Sequence, residues 1–83
     1  MTRTEIFAVV RANIEKVLDG VSRDSVPEEA SLRDLGADSL QIVEVVSRSM
    51  KELRLRVPRT DLSRARNLKD LVDLFEKADA ERQ

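Results

Sequence analysis

The stretch LGADSLQIVEVVSRSMKEL, from Leu35 to Leu53, decides how the rest of the chain must be arranged. Gly36 supplies the backbone freedom for a sharp turn, and Asp38 or Ser39 then offers a side-chain oxygen that caps a helix. After this cap, apolar residues recur every three or four positions, which predicts a helix over about 39–54. Its apolar surface covers roughly half of the helix, so we expect one part to pack on a core and another to face a partner.

The same periodicity predicts the other elements of the chain. They are a first helix over about 3–18, a short helix over about 60–64, and a last helix that follows the N-cap Asn67 and ends near Ala80. The connection 19–38 is unusually long for a compact domain and suggests a functional loop with one helical turn near 31–35. The sequence therefore predicts one all-α domain over 1–83. It is a bundle of three main helices plus one short helix, with a long loop after the first helix and a frayed tail at 79–83.

The composition excludes several classes of function. The 83 residues include no Cys, His, Trp or Tyr, so disulfides, Cys/His zinc sites and a His base for a nucleophilic serine are absent. The longest apolar run, Ile6–Val10, is far shorter than the roughly 18 residues that span a membrane, and it is too short for a signal peptide. We therefore expect a cytoplasmic protein with no membrane segment, no bound metal and no catalytic residue.

Charge is distributed unevenly along the chain. Residues 48–66 contain seven basic and two acidic side chains, a net charge of +5, whereas residues 1–47 carry a net charge of −4. The basic segment is either an ordinary solvated surface or a docking patch for an acidic partner. A nucleic-acid partner is disfavoured, because the formal charge of the whole chain is −1 and no predicted helix has one continuous basic face.

Two interpretations apply to Ser39. In the first, Ser39 and Asp38 only cap the helix, which is the usual role of such a pair. In the second, the unpaired N–H groups and the positive dipole end of the helix stabilise a phosphodiester on the Ser39 oxygen. A hydrolytic role for Ser39 is excluded because the chain has no His to act as its base.

The segment Leu35–Leu40, at the start of an amphipathic helix, resembles the phosphopantetheine attachment site of acyl carrier proteins. The similarity extends along nearly the whole chain to Leu68–Phe75 in the last predicted helix. It implies that a phosphopantetheinyl transferase moves 4'-phosphopantetheine from coenzyme A to Ser39, and that Asp38 helps to present the serine. The thiol of this arm then holds an acyl group for partner synthases, which implies a monomeric carrier that is not itself an enzyme. The partner-facing residues that the resemblance implies are Leu40, Val43, Glu44, Ser47, Arg48 and Lys51.

Two features distinguish this chain from carriers of fatty-acid synthesis. Those carriers have many acidic residues on the second helix. In this chain Arg48 and Lys51 lie on that helix, which predicts weak binding to the basic docking surface of a partner enzyme. The segments 55–59 and 65–68 resemble the discrete carriers of polyketide β-branching cassettes, which offer acetyl groups to an enzyme similar to hydroxymethylglutaryl-CoA (HMG-CoA) synthase. Three hypotheses remain: such an acetyl donor, a general fatty-acid or polyketide carrier, and a helical adaptor that binds through residues 48–66.

Overall fold

The structure is a computed structural model that describes residues 1–82. Its helices are α1 (Arg3–Val17), α2 (Ser39–Leu53), α3 (Arg59–Leu62) and α4 (Leu68–Arg82), and a 3-10 turn at Arg23–Ser25 interrupts the loop after α1. No strand occurs in the part of the chain that is described. The predicted all-α bundle of three main helices and one short helix is therefore confirmed. None of these helices has both the length and the apolar character needed to cross a membrane.

The three long helices enclose one apolar core. Its side chains with no exposed surface include Ile6, Val10 and Ile14 of α1, Val45 of α2, and Val72 and Phe75 of α4. Their spacing of three and four positions along each helix is the periodicity that predicts them. Inside this core the buried side chains of Asn13 and Ser49 join α1 to α2, since Asn13 Nδ2 donates to Ser49 Oγ over 3.3 Å. The core thereby fixes which face of α2 points inward.

A capping box starts α1 where the sequence pattern predicts it. Thr2 Oγ1 accepts a hydrogen bond from the Glu5 N–H over 3.1 Å, and the Glu5 carboxylate accepts one from the Thr2 N–H over 2.8 Å. The bond from the Thr2 backbone N–H lowers the pKa of Glu5 because it stabilises the charged form, and the nearby Thr2 side chain lowers it further. The helix ends at Val17, one residue before the predicted end.

The long loop that connects α1 to α2 is tied both to the core and to α4. Its buried side chains are Leu18, Val26, Leu32 and Ala37. The N–H of Leu68 donates to the carbonyl of Ala30 over 2.9 Å. The N–H of Lys69 donates to the carbonyl of Glu28, also over 2.9 Å. These bonds satisfy two of the N–H groups that the first turn of a helix leaves unpaired, so the loop has a fixed path.

Two elements of the C-terminal half differ from the prediction. Helix α3 begins at Arg59, directly after Pro58, and ends at Leu62 rather than at residue 64. Helix α4 continues to Arg82, beyond the predicted end near Ala80. The expected fraying of 79–83 is therefore wrong for residues 79–82, and Gln83 lies outside the described residues.

The end of α4 is held by contacts with α2. Asp79 is only 5% exposed, and its Oδ1 accepts a hydrogen bond from Arg82 over 2.9 Å. Arg82 also donates to the carbonyls of Leu53 over 3.2 Å and of Arg54 over 2.7 Å. The last carbonyls of a helix lack partners within that helix, so Arg82 completes the end of α2. The periodicity of α4 alone carries no sign of this contact between distant segments.

Candidate functional site

Ser39 is the first residue of α2, and Asp38 is its N-cap. Asp38 Oδ1 accepts a hydrogen bond from the Gln41 N–H over 2.8 Å, and Gln41 Oε1 accepts one from the Asp38 N–H over 3.0 Å. This reciprocal pair is the capping box that the sequence spacing predicts. Ser39 is exposed, and its hydroxyl forms no hydrogen bond with the residues described. Asp38 therefore does the capping and leaves the Ser39 oxygen free to react.

The loop that leads into α2 holds this serine in a fixed place. The predicted turn is present, since the Leu35 N–H donates to the Ser31 carbonyl over 3.3 Å. Gly36 follows with φ +95°, a backbone conformation that favours glycine. Ala37 is then buried, and its N–H donates to the Leu32 carbonyl over 3.0 Å. The site thus lies on an anchored loop end and the first turn of a helix.

The electrostatic environment at the N-terminus of α2 favours an attached phosphodiester. Helix α2 has 15 residues, and its dipole places a partial positive charge near Ser39. The remaining unpaired N–H groups of the first turn add hydrogen-bond donors for phosphate oxygens. A phosphopantetheine arm fits here, because the exposed hydroxyl can be esterified without displacing the Asp38 cap. No group of three or more acidic side chains within residues 1–82 is placed to hold a metal ion.

Two apolar side chains beside Ser39 face solvent. Leu40 is 82% exposed and Val43 is 61% exposed, while Val45 on the opposite face has no exposed surface. Neither side chain therefore belongs to the core, although a Leu or Val on a helix usually does. Met1 is the other large apolar side chain exposed in the described part of the chain. Leu40 and Val43 therefore form an apolar patch at the root of the proposed arm.

The other residues predicted to face a partner also lie on exposed parts of α2. Glu44 and Arg48, one helical turn apart, form an ion pair with 3.0 Å between Arg48 Nε and Glu44 Oε2. Ser47 and Lys51 are exposed, and Lys51 forms no ion pair within residues 1–82. The carboxylate of Glu44 is thus engaged by its own helix. On this face of α2, Arg48 and Lys51 therefore offset the negative charge of Glu44.

A cleft of about 470 Å³ opens between α2 and the α3 region, and the sequence interpretation missed it. Its apolar lining includes Ile42, Val46 and Met50 of α2, Val57 and Leu62 around α3, and Leu68 and Leu71 of α4. Val43 and Ser47 border it, so the cleft is continuous with the face of α2 that starts at Ser39. The available signal was the breadth of the apolar surface on α2, of which Ile42, Val46 and Met50 remain only partly buried.

Comparison with known proteins gives a consistent family assignment. A model of the family described as the phosphopantetheine attachment site matches residues 8–75. The polyketide biosynthesis acyl carrier protein AcpK of Bacillus subtilis is 32% identical over 75 residues, which cover 90% of this chain and 92% of the relative. An acyl carrier protein of Thermotoga maritima is 40% identical over 77 residues, which cover 92% of this chain and 94% of the relative.

A solved structure shares both the fold and part of the sequence. That structure is a complex between the HMG synthase of the curacin biosynthetic pathway and an acetyl donor acyl carrier protein. The matching chain has a TM-score of 0.80 and 27% identity, over 90% of this chain and 96% of that chain. The region matched by the family model, 8–75, includes the exposed serine at the start of α2. This chain therefore belongs to the acyl carrier proteins, a family of non-catalytic carriers with phosphopantetheine as their cofactor.

Proposed function

We propose that this chain bears 4'-phosphopantetheine on the Ser39 oxygen and delivers an acyl group to synthases of polyketide biosynthesis. The observation that carries the proposal is the exposed Ser39 hydroxyl, which has no hydrogen-bond partner within residues 1–82 and lies inside the matched region 8–75. When bound, the arm supplies a terminal thiol that holds the acyl group as a thioester. A chain without cysteine has no such thiol of its own.

The residues around Ser39 act by positioning and docking. Asp38 holds the first turn of α2 in place through its bond to Gln41, and in this proposal it presents Ser39 to a phosphopantetheinyl transferase. Leu40 and Val43 give a partner enzyme a small apolar patch to bury beside the arm. A small contact surface suits a monomeric carrier that must leave each partner quickly. The polar residues proposed to flank this contact are Glu44, Ser47, Arg48 and Lys51.

We further propose that the acyl group is acetyl and that its acceptor resembles HMG-CoA synthase. Three observations support this: the solved acetyl donor carrier with the same fold, the relative named for polyketide biosynthesis, and the resemblance of segment 55–59 to β-branching carriers. The proposed transfers take place in the cytoplasm, where coenzyme A supplies the arm. Lys51 and the paired Glu44 reduce the free negative charge on α2, which disfavours docking on a basic synthase surface.

A general fatty-acid or polyketide carrier is the second candidate function. The observation in its favour is the 40% identity to the acyl carrier protein of Thermotoga maritima. The two candidates predict different acceptors for the same loaded arm, so rates of acyl transfer distinguish them. The adaptor hypothesis loses its basis, because the chain belongs to the carrier family.

Loading of the arm tests the proposal. We expect a phosphopantetheinyl transferase of broad specificity, supplied with coenzyme A, to raise the intact mass of the protein by one arm. Ser39→Ala should abolish this gain, whereas the control Ser25→Ala, on an exposed serine of the loop after α1, should load normally. Loading of Ser39→Ala to the wild-type extent would refute Ser39 as the attachment site.

A further inference from the structure

A strongly basic surface lies at the far end of α2 from Ser39. We call it the basic ridge, and it consists of Lys51, Arg54, Arg56 and Arg59. All four residues are exposed, and none takes part in an ion pair within residues 1–82. The arginines at 3, 23, 48 and 82 are each paired with a carboxylate, whereas Arg33, Arg64 and Arg66 are exposed and, in the described part of the chain, unpaired like those of the ridge. Glu52 is the one acidic residue within 51–59, so this segment presents a net charge of +3.

The backbone after α2 is held so that this charge points outward. Leu55 is 5% exposed and Val57 is 9% exposed, and both join the core. Arg54 and Arg56 alternate with them and are exposed. Arg56 lies between these two buried residues on non-helical backbone, so their burial leaves its side chain on the outer side. The ridge is thus a presented surface rather than a loose loop.

Arg54 occupies a backbone conformation that its side chain disfavours. Its φ of 56° and ψ of 42° are left-handed, and it is the one non-glycine residue in 1–82 with a positive φ. Helices usually end in this conformation with Gly or Asn, which adopt it more easily. The Leu55 N–H donates to the Met50 carbonyl over 3.0 Å, a bond that Gly or Asn at position 54 would equally permit. The structure therefore keeps a cation where another residue would fit with less strain, which points to a role for the charge.

We infer that the basic ridge is a docking surface for an acidic patch on the enzyme that exchanges acyl groups with the arm. The inference rests on the proposed function, because it takes Ser39 as the root of that arm. Helix α2 is about 22 Å long at 1.5 Å per residue, so an enzyme bound at Leu40 can reach the ridge within one contact of ordinary width. Opposite charges speed the encounter of two proteins and still allow rapid release.

An acidic protein surface explains the ridge better than nucleic acid does. Residues 1–47 carry a net charge of −4 and the whole chain −1, so a polyphosphate strand approaching the molecule meets repulsion outside the ridge. A folded enzyme can confine its acidic groups to the area that meets the ridge. The same cations repel an enzyme whose active-site entrance is basic, so the ridge selects between synthases.

Neutralising the ridge tests this inference. The ridge variant Lys51→Gln/Arg54→Asn/Arg56→Gln is compared with Lys16→Gln/Lys69→Gln/Lys77→Gln, which removes three exposed cations from α1 and α4. Each protein is loaded with acetyl-phosphopantetheine, checked by intact mass, and assayed for acetyl transfer to an HMG-CoA synthase-like enzyme at low and high salt. We expect kcat/KM to fall at least about tenfold for the ridge variant and to lose its salt dependence, while the control variant stays within about twofold. Equal values for the two variants would overturn the inference.

A second acceptor separates failure of the ridge from failure of the proposed function. With a ketosynthase whose entrance is basic, removal of the ridge should accelerate transfer, because repulsion is relieved. If the loaded wild-type carrier gives no transfer to the HMG-CoA synthase-like enzyme, the proposed acceptor is refuted. The ketosynthase rates then still test whether the ridge acts in docking. Unchanged ketosynthase rates for the ridge variant would then count against it.

Arg54→Asn alone separates docking from folding. Asn tolerates the left-handed backbone, so the thermal midpoint should equal or exceed that of the wild type. The KM for transfer should rise while kcat is unchanged, since Arg54 lies far from the arm and contributes only to association. A lower thermal midpoint with an unchanged KM would show that Arg54 is structural and contradict its role in docking.

Discussion

At the scale of single residues, Asp38 and Ser39 perform separate tasks at one helix start. The spacing of Asp38 and Gln41 predicts a capping box, and the structure contains it. The sequence left open which of the two adjacent residues caps α2, because Asp and Ser are both favoured N-caps. The backbone decides between them, since Asp38 is extended, with φ −86° and ψ 179°, and Ser39 already belongs to the helix.

Substitution of these two residues should affect stability differently. Asp38→Ala removes the cap and should cost about 1 kcal/mol of unfolding free energy. Ser39→Ala should change it by less than about 0.5 kcal/mol, because the Ser39 hydroxyl has no hydrogen bond to lose. Urea unfolding of both variants beside the wild type measures these effects. A loss of about 1 kcal/mol in Ser39→Ala would mean that its hydroxyl caps the helix after all.

At the scale of elements, α2 has a buried face and an exposed face with different functions. The hydrophobic pattern predicts the helix and its bounds well, because periodicity and caps are local properties of the sequence. It could not decide whether Leu40 and Val43 are covered, since that depends on which segment packs beside them. Val43 borders the cleft beside α3, and no segment within residues 1–82 covers either side chain.

Variants of the two faces should separate docking from folding. Leu40→Ser/Val43→Ser alters exposed side chains and should leave the unfolding free energy within about 0.5 kcal/mol of the wild type. It should raise the KM of the phosphopantetheinyl transferase for the protein, because the apolar patch is lost. Val45→Ala on the buried face should lower stability by about 2 kcal/mol. A large stability loss in the double serine variant, with an unchanged KM, would show that the patch packs within the fold.

At the scale of the whole molecule, contacts between distant segments complete the carrier. Arg82 joins the end of α4 to the end of α2, and the N–H groups of Leu68 and Lys69 tie α4 to the long loop. The number and order of helices could be predicted from the sequence. The end of α4 and the cleft beside α2 could not, because both arise where segments far apart in the chain meet.

The contact of Arg82 with α2 gives a prediction at this scale. Arg82→Ala leaves the carbonyls of Leu53 and Arg54 without their side-chain donor and separates Arg82 from Asp79. We expect a loss of about 1 kcal/mol of unfolding free energy, since the side chain is partly exposed to solvent. The control Glu81→Ala, at a neighbouring exposed residue, should be nearly neutral. Hydrogen exchange should become faster in the last turns of both α2 and α4 in Arg82→Ala, but not in Glu81→Ala. Unaltered exchange of these two segments in Arg82→Ala would contradict the proposed coupling between the ends of α2 and α4.

Peptide mass spectrometry of the loaded protein measures directly which residue bears the arm. Cleavage after Arg33 and Arg48 releases the segment 34–48, which contains two serines, Ser39 and Ser47. If Ser39 bears the arm, this peptide carries one phosphopantetheine, and its fragment ions place the group on Ser39. A group on Ser47, or on a peptide from elsewhere in the chain, would contradict it.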